Sequence, residues 1–236
     1  MRLLLISNST NPGEPYLDYV KGNIGDFLGE KPVNALFIPY AGVTFSFDAY
    51  EEKVNMRFKE VGHKVTGIHR FSNPVKAVEE AEAIVVGGGN TWQLVKMMQD
   101  NGIMEAVREK VRKGTPYIGW SAGSNVACPT LRTTNDMPII EPRNFNTLGL
   151  IPFQINPHYL DSHPENHGGE TREDRINEFI CVNKEVYVVG LREATMFLYE
   201  GDSLKLVGKR PARIFKYGET PRELTSESDL SFLLKV

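Results

Sequence analysis

Short apolar runs rich in β-branched residues recur along the chain, at Leu3 to Ser7, Ala35 to Ile38, Val65 to Ile68, Ala83 to Val86, Tyr117 to Trp120 and Val186 to Leu191. Several are apolar on consecutive positions, without the alternation of a strand that has one wet face, so helices must cover both faces. Between them lie stretches of helical periodicity: Phe47 to Val61, Pro74 to Ala81, Thr91 to Asp100, Met104 to Lys113 and Thr171 to Val182, with Gly62 and Gly114 near two of their ends. The alternation predicts βαβ units and an α/β fold, a three-layer sandwich around a mostly parallel sheet. Beyond Leu191 the pattern changes. Thr195 to Tyr199, Ser203 to Val207 and Ala212 to Phe215 are separated by Gly-Asp and Gly-Lys turns, which predicts short antiparallel strands finishing the sheet. With no linker, repeat or low-complexity tract, a single domain over residues 1–236 is expected.

Composition narrows the function class. Hydrophobic residues make up 41% of the 236 and charged ones 24%, the balance of a folded protein with a full core. Lys and Arg number 27 against 30 Asp and Glu, with no basic block of the kind that condenses on phosphate backbones, so no nucleic-acid partner is expected. No apolar run approaches the roughly 20 residues of a membrane span. The opening Met1-Arg2-Leu3-Leu4-Leu5-Ile6-Ser7-Asn8 is too short for a signal core, so no membrane and a cytoplasmic location are expected. Two cysteines, Cys128 and Cys181, give neither a disulfide framework nor a thiolate metal site.

The segment Gly119-Trp120-Ser121-Ala122-Gly123 places a serine at a strand-to-helix junction inside G-x-S-x-G, a nucleophile-elbow pattern. Such a turn is strained and crowded, and Gly119 and Gly123 remove Cβ atoms that would clash. The following helix aims its N-terminus at Ser121, and the Ala122 N–H is the natural first donor of an oxyanion hole. A serine hydroxyl needs a base. His63 and His69 stand in charged surroundings and are expected to be exposed. His158 ends the apolar run Ile151 to Pro157, at the carboxyl end of a strand where ligands gather in open α/β sheets. His163 and His167 lie in a loop with Pro164, Gly168 and Gly169, without a matching ligand set, so no metal site is expected. A carboxylate must orient the imidazole. Glu193 follows the strand Val186 to Leu191, and Asp136 in Thr133-Thr134-Asn135-Asp136 is the alternative. The order Ser121, His158, acid is not that of the α/β-hydrolases. Upstream, Gly87-Gly88-Gly89-Asn90-Thr91 joins strand to helix without the Gly-Lys-Ser/Thr of a phosphate loop. It leaves bare backbone from which Gly89, or alternatively Gly88, can supply the second oxyanion donor.

These residues resemble the aspartyl dipeptidase (peptidase E) family of serine peptidases. The likeness runs through Ser7-Asn8-Ser9-Thr10, Ile38-Pro39-Tyr40-Ala41-Gly42-Val43-Thr44, Gly67-Ile68-His69-Arg70, Gly87 to Thr91, Gly119 to Gly123, Arg132 to Ile139, Ile155-Asn156-Pro157-His158 and Gly169-Glu170-Thr171-Arg172-Glu173. It reaches about residue 200. The resemblance implies a fold similar to the class I glutamine amidotransferases, a triad at Ser121, His158 and Glu193, no metal or other cofactor, and cleavage of dipeptides with an N-terminal aspartate. One departure stands beside the acid. Leu191-Arg192-Glu193-Ala194 occupies the place of the family's Leu-Pro-Glu-Gly.

An aspartate side chain needs a fixed cation, and a guanidinium matches a carboxylate bidentately. Arg172 is the candidate, in the first turn of a helix capped by Thr171 with Asp174 as box partner, where the dipole disfavours a cation unless an anion meets it. Glu170, Asn90 and Asp136 are candidates for the substrate ammonium. The expected function is hydrolysis of Asp-Xaa dipeptides through an acyl-enzyme, in a monomer or homodimer. The rivals are a cyanophycinase-like peptidase acting on β-aspartyl linkages and a non-catalytic aspartyl-peptide binding module.

Overall fold

A computed structural model describes residues 1–161 and 168–235. Its elements run, in order, β1 (Arg2–Ile6), α1 (Lys21–Leu28), β2 (Asn34–Ile38), α2 (Phe47–Glu60), β3 (Lys64–Gly67), α3 (Pro74–Glu80), β4 (Ile84–Val86), α4 (Thr91–Asp100) and α5 (Met104–Arg112). They continue as β5 (Tyr117–Trp120), α6 (Ala122–Asn125), β6 (Gln154–Tyr159), α7 (Arg172–Val182), β7 (Val188–Arg192), β8 (Thr195–Glu200), β9 (Ser203–Gly208), β10 (Ala212–Phe215) and β11 (Arg222–Leu224).

The larger sheet has seven strands in the order β3-β2-β4-β5-β1-β8-β9. The run from β3 to β1 is parallel, and β8 and β9 close it antiparallel. Successive side chains of a strand leave opposite faces, and here both sets are buried. Leu4, Ile6, Ala35, Phe37, Ile118 and Trp120 pack with residues of α1 and α2, such as Phe27, Val54 and Phe58. Leu3, Leu5, Leu36, Ile38, Val86 and Tyr117 pack on the other side with Val78, Leu94, Met98, Val107 and Val111 of α3, α4 and α5. Three layers result, as the unbroken apolar runs require.

The end of the chain differs from the expected single sheet. Only β8 and β9 finish the large sheet; β10 joins a second, four-stranded sheet of order β11-β10-β7-β6. That sheet also holds the apolar run ending at Leu191, paired parallel to β6. Helix α7 covers it through Ile176 and Ile180, against Tyr159, Val188 and Phe215. Helix α1 has no forecast in the periodicity. His163 and His167, weighed above as a metal pair, lie outside the described residues. No described helix is long and apolar enough to cross a membrane.

Candidate active site

Parallel strands end on one edge, so the chain leaves β1, β2, β4 and β5 side by side. Ser121 follows β5 directly with φ +52° and ψ −111°, and its carbonyl accepts the N–H groups of Ser124 and Asn125. The elbow closes because its glycines are bare. A Cβ on Gly119 would sit 2.4 Å from the Gly123 carbonyl oxygen, and one on Gly123 would sit 2.2 Å from that of Val86.

The second sheet brings the other two groups. Along β6 and β7 the register steps from Pro157 opposite Leu191 to Tyr159 opposite Arg192, leaving His158 as the extra residue of a bulge with φ +54°. A bulge re-aims one side chain. His158 Nε2 lies 3.1 Å from Ser121 Oγ, and Nδ1 lies 2.8 Å from Glu193 Oε1. The bulged N–H, lost to the ladder, donates to Ser7 Oγ at 3.0 Å, while the Ser7 hydroxyl donates to the Leu191 carbonyl at 2.7 Å. Next to it, Asn8 Oδ1 accepts the Ala194 N–H at 2.8 Å and the Tyr19 hydroxyl at 2.8 Å. Ser7 and Asn8 thus join the end of β1 to the bulge carrying the histidine and the turn carrying the acid. Sequence reasoning gave them no role; the signal it offered is a Ser-Asn pair directly after an apolar strand, and the structure buries both completely.

The glycine loop after β4 faces the same space. Gly89 has φ +135°, and a Cβ there would lie 2.2 Å from the Ala41 carbonyl oxygen. Among the described residues no acceptor meets the N–H of Gly88, Gly89 or Ala122, whereas those of Gly87 and Asn90 bind Ile38 and Ala41. Tyr50 donates to the Gly88 carbonyl at 2.9 Å and accepts from Trp120 Nε1 at 3.2 Å and from the Tyr16 hydroxyl at 3.1 Å. Pinning that carbonyl turns the Gly89 N–H of the same trans peptide the opposite way. Ser121, His158, Gly88 and Gly89 line one cavity of about 580 Å³ with the aromatic rings of Tyr16, Phe45 and Tyr50.

The model of peptidase family S51 matches residues 3–207. The chain belongs to peptidase family S51. Peptidase E of Nostoc sp. is 49% identical over 234 residues, which cover 99% of this chain and 97% of that one. Peptidase E of Salmonella typhimurium is 47% identical over 219 residues, covering 93% and 95%. A crystal structure of a peptidase from an acI-B1 Actinobacterium matches 98% of this chain and 96% of that one with TM-score 0.67 at 18% identity, a shared fold.

This S51 peptidase places the remaining candidates as follows. The imidazole Nδ1 is met by Glu193, while Asp136 is engaged elsewhere: its Oδ2 accepts the Thr91 N–H at 2.7 Å, the Thr91 hydroxyl at 2.6 Å and the Thr134 hydroxyl at 3.0 Å. It holds the start of α4, where backbone donors lack partners. Asn90 Oδ1 accepts the Gln93 N–H as N-cap of α4, and Nδ2 donates to the Met137 carbonyl. Arg172 lies in a second cavity with Thr134, Asn135, Asp136, Asn156 and Arg175, tied to the histidine because Asn135 Nδ2 donates to the Pro157 carbonyl at 2.7 Å. Among the described residues Arg172 forms no ion pair; burial first, then the like charge of Arg175, holds its guanidinium below the usual range. The capping box of Thr171 and Asp174 forms as the sequence suggests. Glu170 is exposed and reaches Arg175 at 3.8 Å, lining neither cavity.

Two histidines differ from expectation. His63 is buried, accepting the Val33 N–H at Nδ1, and His69 is packed beside Asp48 and Glu51. That trio is the one group among the described residues with the donor set for a cation, but Arg70 already meets both carboxylates at 2.7 Å. Cys128 is buried with its thiol pushed up to about 12, which makes it inert packing.

Proposed function

We propose that this S51 peptidase is a serine exopeptidase acting on dipeptides with an N-terminal aspartate, through an acyl-enzyme on Ser121, His158 and Glu193. The supporting observation is the continuous chain Glu193 to His158 to Ser121, at 2.8 and 3.1 Å, on the strained elbow. Glu193 accepts the Nδ1 proton and leaves Nε2 as the base. His158 Nε2 takes the Ser121 proton as Oγ attacks the scissile carbonyl, then returns it to the leaving amine; water repeats the cycle on the ester. The N–H groups of Gly89 and Ala122, facing no acceptor among the described residues, receive the oxyanion.

Arg172 supports the aspartate preference. A half-buried guanidinium at the first turn of α7, with no ion pair among the described residues, offers a carboxylate-shaped partner. The test is a panel of Xaa-Leu dipeptides on wild type, Ser121→Ala and Arg172→Ala. Expected is Asp-Leu turnover lost in Ser121→Ala with unfolding unchanged, and the Asp-over-Ala preference lost in Arg172→Ala at about 2–4 kcal/mol of transition-state binding. Retained turnover in Ser121→Ala overturns the mechanism; a retained preference in Arg172→Ala reassigns the pocket.

A further inference from the structure

Two cavities adjoin the His158 bulge, and they differ in kind. The Arg172 cavity is polar and does not include Ser121; the larger one includes both Ser121 and His158 but not Arg172. A dipeptide cleaved at Ser121 has an acyl half and a leaving half. With the acyl aspartate assigned to Arg172, a reading on which this inference rests, the larger cavity is left for the leaving residue.

Its wall has a definite chemistry. The Tyr16 hydroxyl donates to Tyr50, and the Tyr50 hydroxyl donates to the Gly88 carbonyl, so both phenolic protons are engaged and the substrate meets ring surface. Burial pushes the Tyr50 phenol up to about 12, which keeps that chain neutral. Phe45 stacks edge-on against Tyr50 at 5.0 Å and remains 48% exposed, an apolar surface lacking a cover. Among the described residues one ammonium lines this cavity, that of Lys53 on α2. Its Nζ lies 4.0 Å over the Tyr16 ring, and among the described residues it has no carboxylate partner. A ring face on one side and open cavity on the other hold the cation ready for an anion.

We propose that this cavity is the leaving-residue subsite, taking a large apolar side chain between Phe45 and Tyr16 while Lys53 pairs with the free α-carboxylate. The pairing counts residues. In a dipeptide the carboxylate lies one residue from the scissile bond, whereas an added residue replaces it with a neutral amide and carries the charge past Lys53. Lys53 is thus a specificity residue that favours dipeptides over longer chains.

The experiment compares kcat/KM for Asp-Phe and Asp-Phe amide in wild type, Lys53→Met and Lys53→Arg. Wild type favours the acid about tenfold, carried in KM; the ratio falls to about one in Lys53→Met and returns in Lys53→Arg. No preference in wild type, or the same preference in Lys53→Met, overturns the subsite. If wild type cleaves neither compound, the aspartyl-dipeptide reading fails by itself, and calorimetric titration with L-phenylalanine and L-phenylalaninamide decides the subsite. Binding of the acid alone, lost in Lys53→Met, upholds it; equal binding of both, or no binding of the acid, overturns it.

Discussion

Ser121, His158 and Ala194 are three of the four non-glycine residues with positive φ among the described residues, and each lies at or beside a member of the proposed triad. Such backbone costs free energy and persists where surroundings over-determine it. At Ser121 and His158 the strained residue carries a side chain of the proposed triad. At Ala194 it does not: φ +63° serves only to turn the chain after Glu193, at the position where the family resemblance has glycine. Ala194→Gly is therefore expected to stabilise the fold by roughly 0.5–1 kcal/mol, relief of left-handed strain less the entropy glycine adds to the unfolded chain. A urea midpoint that rises at constant slope supports this; one that falls contradicts it. Arg192, in place of the family's proline, stays 8% exposed because Asp161 and Glu223 both bind its guanidinium, which holds their carboxyls below the usual range. The departure is absorbed away from Glu193.

At the scale of elements, the site depends on two sheets meeting. The serine belongs to the large sheet, the histidine and acid to the small one, and Ser7 at the end of β1 binds both strands of the small sheet at the bulge. Ser7→Ala leaves the His158 N–H and the Leu191 carbonyl buried without their partner, at about 1–3 kcal/mol. The expected outcome is a lower unfolding midpoint together with a lower kcat, since the same bonds set the ring's position. A variant as stable and active as wild type would mean that the bulge holds without this bridge. Helix α1 escaped the sequence reading for a local reason: Lys21 to Leu28 contains Gly22 and Gly25, poor helix formers, and a Cβ on Gly25 would come within 3.1 Å of Val61. Packing against α2, not propensity, forms it.

Over the whole molecule, the layers were legible because runs such as Leu3 to Ile6 and Ile84 to Val86 bury both faces, which only a covered parallel sheet allows. The partners of each strand were not. Periodicity tells which face is buried, and nothing in Ala212 to Phe215 distinguishes pairing with β9 from pairing with β7. His63 misled because Lys64 beside it marks charged surroundings, whereas its ring is buried and accepts the Val33 N–H. Strand ends and the family resemblance pointed to Ser121, His158 and Glu193, three side chains of which each lies within hydrogen-bond distance of the next. Asp136, the alternative to Glu193, could not be set aside from sequence because the three donors that converge on its Oδ2 come from Thr91, far along the chain, and from Thr134. That contrast is the most direct test of the catalytic account. Turnover of Asp-Leu should fall about 10³–10⁴-fold in Glu193→Gln, while Asp136→Asn, which loosens the start of α4, loses far less. A larger fall in Asp136→Asn, with Glu193→Gln still active, would contradict it.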